Sequence, residues 1–152
     1  MKFVGRKEQL KKLDKVIHAD EMTFSLIYGR RRVGKSELVK QALSKHNGKN
    51  LYYECKQVAQ ESNVNGLSEI VSEVMHLPKL GFSDMESLLN YIFELSTQEK
   101  IVLVLDEYPY LRESVKGMDS ILQALIDKYR SSAKLTFIIL GSYVEVMHSL
   151  IE

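Results

Sequence analysis

Eight consecutive residues, Gly29-Arg30-Arg31-Arg32-Val33-Gly34-Lys35-Ser36, carry the spacing G-x-x-x-x-G-K-[ST], the pattern of a phosphate cradle. The glycines let backbone N–H groups turn inward and approach an anion with no Cβ in the way, at the start of a helix whose amino end favours negative charge. Lys35 supplies a point charge for β- and γ-phosphates, and the Ser36 hydroxyl a ligand for Mg2+. The plainer alternative is a basic turn bounded by glycine. Arg30, Arg31 and Arg32 have two readings, phosphate or acidic-surface contacts on one hand and solvated loop-tip arginines on the other. The second is preferred for any one of them, because such a cradle works through its amides and Lys35.

A second constellation closes the run Ile101 to Leu105. Asp106 falls at the carboxyl edge of that apolar stretch, where open α/β sheets place ligand groups, and its carboxylate suits the Mg2+ shell opposite Ser36. Glu107, one residue on, is the candidate general base for a water attacking a γ-phosphate. Both acids would alternatively serve as caps for a following helix. Pro109 biases Tyr108 toward extended backbone, which predicts a defined turn there and not a smooth helix start. Ser142 follows another apolar run through Gly141 and is open to two readings, contact with the γ-phosphate or its water, and a capping box with Glu145. His18, His46, His76 and His148 show no metal-ligand spacing, and Cys55 has no nearby histidine.

These residues need a scaffold of alternating strands and helices, and the apolar pattern changes period accordingly. Helical spacing covers Lys7 to Ala19, Lys35 to Lys45, Asn65 to Met75, Asp84 to about Thr97 (capped by Ser83 or Asp84) and Met118 to Tyr129. Strands are expected at Thr23 to Tyr28, Leu51 to Cys55, Ile101 to Glu107 and Leu135 to Leu140. The unbroken apolar run after Ile101 suits a strand buried on both faces of a parallel sheet and so a central one. The twelve residues after Leu140 read as the start of a further helix through Val144 and Met147.

With 152 residues, 45% apolar and 27% charged, the chain suits one ordinary globular domain, residues 1–152. The net charge of +1 hides a split. Residues 1–50 hold thirteen basic and five acidic side chains, and the remainder eight and fifteen, so an anionic ligand suits the first third. A single cysteine excludes an internal disulfide and a cysteine-based zinc site, and the charged start MKFVGRKEQL has no apolar export run; the expectation is a cytoplasmic protein with no membrane partner.

The order FVGRKEQLKKL, LIYGRRRVGKSELV, IVLVLDEYPYL, IILGSYVEVM resembles the archaeal and bacterial ATPase family with GRRR-type phosphate loops, related to the AAA+ and STAND ATPases. The resemblance implies an α/β three-layer P-loop NTPase fold with a mostly parallel sheet, ended before the fifth strand and lid. It implies ATP and Mg2+ as cofactors, with Val4, Gly5 and Arg6 beside the adenine. The nucleotide-binding set then runs through Gly29, Arg30, Arg31, Arg32, Val33, Gly34, Lys35, Ser36 and Glu37. The metal residues are Ser36 and Asp106, and the catalytic ones Glu107, Lys35 and Ser142, where Ser142 departs from the usual Asn or Thr of the sensor position. ATP is favoured over GTP by resemblance, and no N/T-K-x-D guanine-reading segment is present. The functional expectation is Mg2+-dependent ATP binding and hydrolysis to ADP and phosphate by a longer parent. The alternative is a regulatory or DNA-associated switch with little hydrolysis, in which DNA is a partner of the parent more than of these residues. Self-association through an uncovered first-strand edge or an ATPase interface is a further expectation.

Overall fold

The structure is a computed structural model and describes residues 6–28 and 34–142, with nothing described of the Arg6 side chain. Ten elements follow one another as α1 Arg6–Ile17, β1 Thr23–Tyr28, α2 Lys35–Leu43, β2 Lys49–Glu54, α3 Gln60–Met75, α4 Met85–Leu95, β3 Ile101–Asp106, α5 Tyr108–Ser114, α6 Met118–Tyr129 and β4 Leu135–Gly141. The strands form one sheet in the order β1-β4-β3-β2, with every pair parallel. Every residue of β3 and β4 is buried, which is why both read as unbroken apolar runs while the edge strands carry Ser25, Lys49 and Asn50.

Period-two alternation divides the strand side chains between two cores. Leu103, Leu105, Phe137 and Ile139 join the cluster beneath α3, α4, α5 and α6. Val102, Val104, Ile138 and Leu140 join Leu13, Ile17, Leu38 and Val39 of α1 and α2 on the other face. Each fully buried aliphatic side chain contributes roughly 1.5–3 kcal/mol, so the two faces fix which residues of β3 point to which layer. Val102, Val104 and hence Asp106 lie toward α1 and α2, where the helix after the glycine loop begins.

Three local expectations are corrected. α3 begins at Gln60, five residues before the apolar pattern starts at Asn65, because Asn63 is buried and ties the preceding turn: its Oδ1 accepts from Tyr53 Oη at 2.6 Å and the Lys56 N–H at 3.0 Å, and its Nδ2 donates to the Lys56 carbonyl at 3.0 Å. The β2 strand runs Lys49–Glu54, starting two residues and ending one residue earlier than read. Tyr108 opens a helix and not an extended turn. Proline is tolerated in a first helical turn, where its missing N–H has no intrahelical partner to lose, and the sharp turn sits instead at Glu107, whose φ of 54° is left-handed. Asp84 caps α4 as expected, its side chain accepting from the Ser87 N–H at 2.8 Å. The helix expected through Val144 and Met147 lies outside the described residues.

Candidate functional site

The site grows from the carboxyl ends of three strands. β1 leads toward the glycine loop, and the chain re-enters at Gly34, whose φ of 76° puts it in the left-handed region just before α2; glycine adopts that conformation without the Cβ penalty. Lys35 and Ser36 are therefore the first two residues of α2. β3 delivers Asp106, and β4 ends at Gly141, next to Ser142.

Lys35, Ser36, Asp106, Glu107 and Ser142 come together around one cleft of about 510 Å3, also lined by Glu54, Cys55, Lys56, Gln57 and Tyr110. The Ser36 hydroxyl donates to Asp106 Oδ2 at 2.7 Å, and the Glu107 N–H donates to Asp106 Oδ1 at 2.8 Å. Lys35 Nζ donates to Ser142 Oγ at 3.2 Å, and Ser142 Oγ donates to Glu107 Oε1 at 3.1 Å. Glu37, also expected at the nucleotide, is exposed in the first turn of α2. Val4, Gly5, Gly29, Arg30, Arg31, Arg32 and Val33 lie outside the described residues, as does Glu145, the partner in the capping box expected for Ser142.

Two observations bear on what this arrangement can hold. Lys35 is 6% exposed, yet among the described residues it has no carboxylate ion partner, only the Ser142 hydroxyl. A buried ammonium so placed suits an incoming anion. Asp106, 1% exposed, is held by donors beside a hydroxyl, a donor set matched to a hard, oxygen-seeking cation that keeps much of its water. Among the described residues no cluster of three or more His, Cys, Asp or Glu could hold a metal by itself, so Mg2+ here would share its ligands with phosphate and water. The residues fit such a group.

Sequence reasoning missed Tyr52, which donates its hydroxyl to Asp106 Oδ2. Burial, and then the hydrogen bond to the Asp106 carboxylate, push the Tyr52 phenol pKa above its ordinary range. It also missed the wall formed by Lys56 and Gln57. In both cases the informative signal is strand register, since parallel pairing sets Glu54 beside Asp106. Cys55 packs beneath this wall, its thiol pKa pushed up, chiefly by burial. Two of the histidines make local contacts, His18 Nδ1 donating to the Asp14 carbonyl at 2.9 Å and His46 Nδ1 to Asn50 Oδ1 at 2.7 Å, and His148 lies outside the described residues.

A four-stranded parallel sheet in this order, layered between helices and gathering Lys35, Ser36 and Asp106 at its carboxyl edge, has the fold of the P-loop ATPases. A profile described as an ATPase domain predominantly from Archaea matches residues 3–152, and the chain belongs to that family. An uncharacterized protein of Methanocaldococcus jannaschii is 29% identical over 145 residues, which are 95% of this chain and 30% of that protein. The Walker-type ATPase PABY2304 of Pyrococcus abyssi matches with a TM-score of 0.69 at 21% identity, over 96% of this chain and 47% of its own. Cdc6p of Pyrobaculum aerophilum matches at 0.65 and 17% identity, over 93% and 40%. The ORC2 protein of Aeropyrum pernix, solved as ADPNP–ADP complexes, matches at 0.64 and 15%, over 99% and 44%. The chain thus spans less than a third of the curated relative and under half of each of these solved chains. No helix among the described residues is long and apolar enough to cross a membrane.

Proposed function

We propose that residues 1–152 are the nucleotide-binding core of a longer cytoplasmic ATPase, binding ATP with Mg2+ and hydrolysing it to ADP and phosphate. The observation that carries this reading is the convergence of Lys35, Ser36, Asp106, Glu107 and Ser142 on one cleft at the carboxyl ends of adjacent strands. In this reading Lys35 and the loop amides from Gly29 to Gly34 hold the β- and γ-phosphates, Val4, Gly5 and Arg6 flank the base, and Glu37 follows the cradle. Ser36 and Asp106 hold Mg2+, which when bound offsets the charge that develops on the phosphate oxygens. Glu107 orients a water and takes its proton as the water oxygen bonds to the γ-phosphorus. The bond from that phosphorus to the bridging oxygen breaks, and the electron pair leaves with ADP. Ser142, between Lys35 and Glu107, positions the base.

A switch reading with little hydrolysis has one observation in its favour: Lys35, Ser142 and Glu107 are joined in a single hydrogen-bonded chain. A phosphate that draws Lys35 away frees Ser142 and Glu107 together, so occupancy alone changes the site. Both readings require binding and differ in turnover. Drosophila ORC, solved bound to DNA, shares the fold at a TM-score of 0.64, and DNA is a candidate partner of the longer protein. β1 is a sheet edge among the described residues, and we also propose that it is covered by self-association; a monodisperse monomer at high concentration would count against this.

The binding test compares the chain with its Lys35→Ala variant by calorimetric titration of ATP and Mg2+. The expected result is heat and saturation for the parent sequence and a loss of affinity of at least about 10-fold for the variant, the scale of one charge-assisted hydrogen bond. Equal affinity would remove Lys35 from the reading, and no heat from either protein would remove nucleotide binding.

A further inference from the structure

The Asp106 carboxylate is crowded by donors from three separate elements. Oδ1 accepts from the Glu107 N–H in the turn after β3, and Oδ2 accepts both from Ser36 at the start of α2 and from the Tyr52 hydroxyl on β2. Register explains how Tyr52 reaches it. Tyr52 pairs with Val104 and shares that residue's face of the sheet. Asp106 lies two residues further along, roughly 6.6 Å at the rise of a parallel strand, a distance an extended phenol ring spans. The ring is held from above by Lys40, whose Nζ lies 5.2 Å from its centroid. Phenylalanine would satisfy this packing equally well, so the hydroxyl is what distinguishes the residue.

An ionised carboxylate offers about four lone-pair positions. Three donors among the described residues leave Asp106 one, and fix the plane in which that one lies. We propose that Tyr52 is a positioning residue for the divalent cation: by occupying Oδ2 together with Ser36, it turns the remaining acceptor position of Asp106 toward a metal-bound water. This rests on the nucleotide reading above. Tyr52 touches neither phosphate nor the reacting atoms in that reading and acts only through Asp106.

The test is Tyr52→Phe, with ATPγS as the probe. Mg2+ is titrated at fixed nucleotide, and binding is measured again in EDTA. The expected result is a rise of about 10-fold in the Mg2+ concentration for half-saturation, the scale found for outer-shell partners of metal ligands, with affinity in EDTA unchanged. In an Asp106→Asn background the same substitution should add nothing further, because the residue acts through that carboxylate. An unchanged or lowered Mg2+ requirement would overturn the proposal, and so would equal losses with and without Mg2+, which mark a merely structural tyrosine. If the parent sequence itself shows no Mg2+-dependent binding, the nucleotide reading fails first. If it does and Tyr52→Phe matches it, only the role of Tyr52 fails.

Discussion

Polar side chains gather at both ends of the sheet, and the two gatherings are built differently. At the amino end Thr136, fully buried on β4, donates to the Val16 carbonyl at 2.6 Å and accepts from Lys100 Nζ at 2.5 Å and from Thr23 at 3.3 Å. Lys100 also donates to the Ala19 carbonyl at 2.5 Å. These groups bind the end of α1, the following turn, β1, β4 and the residue before β3 into a network of hydroxyls and carbonyls around one ammonium. At the carboxyl end Lys35, Asp106, Glu107 and the hydroxyls of Ser36 and Ser142 meet at an open cleft, with Glu107 on left-handed backbone. Strained non-glycine backbone of this kind costs of order 1–3 kcal/mol and persists where the surroundings enforce it. The amino end joins elements through neutral acceptors; the carboxyl end keeps charged groups facing space that a ligand can fill.

The largest expected effect tests that division directly. Glu107→Gln, made in the longer protein, should lower turnover roughly 100- to 10,000-fold, the usual contribution of a positioned base, while ATP affinity and the urea unfolding midpoint stay where they were. Unchanged turnover in a rapid-quench assay would leave the carboxyl end a binding site without a base.

The amino end should give the opposite pattern. Thr136→Val preserves shape but strands the Lys100 and Thr23 donors and the Val16 acceptor, so unfolding free energy should fall by roughly 1–3 kcal/mol with nucleotide affinity intact. A urea titration in parallel with calorimetry reads both; a stable variant that binds poorly would dissolve the distinction between the two ends.

The smallest effect is a pH dependence in which buried phenols and one buried ammonium pull in opposite directions. Burial pushes Tyr53 and Tyr129 up to about 12, from an ordinary 10.0. Between those values the unfolded chain has shed phenolic protons that the folded chain retains, so their stabilisation is complete below pH 10 and is lost as pH rises toward 12. Lys100 at the amino end works the other way, its pKa held below 10.5 by burial against the opposing pull of Asp20. There the folded state gives up its proton first, so its contribution grows as pH rises toward 10.5. Urea midpoints at pH 8, 10 and 11.5 should show a net alkaline fall, shallower in Tyr129→Phe; an equally steep fall in that variant would exclude the phenol as a source.

Much of the scaffold was legible because burial imposes it on residue type. β3 and β4 announce themselves by apolar runs without a break, and Met118 to Tyr129 by helical spacing with both bounds as found. Lys35 and Ser36 and the acid pair could be placed on one edge because strand ends and helix starts lie beside them. What resisted reading depends on partners distant in the chain. Asn63 looks like a helix-poor residue until Tyr53 and Lys56 are seen around it, and Tyr52 looks like strand filler until register sets its hydroxyl at Asp106. The turn after β3 was expected, but its position at Glu107 depends on the carboxylate of Asp106 accepting the Glu107 N–H, a contact that no pattern of types displays.

The position of β4 between β1 and β3 also bears on how the molecule is made. Thr23 meets Thr136 across a separation of 113 residues, whereas β2 and β3 can pair as soon as both have left the ribosome. β1, though synthesised first, has no neighbour until β4 enters beside it, and contacts at such separation form slowly. Only that entry brings β1, and with it the start of α2, to the same sheet as the acids after β3. A nascent chain therefore contains residues 29–36 long before the cleft exists, and a ligand that needs the whole cleft would select the assembled sheet over every shorter intermediate.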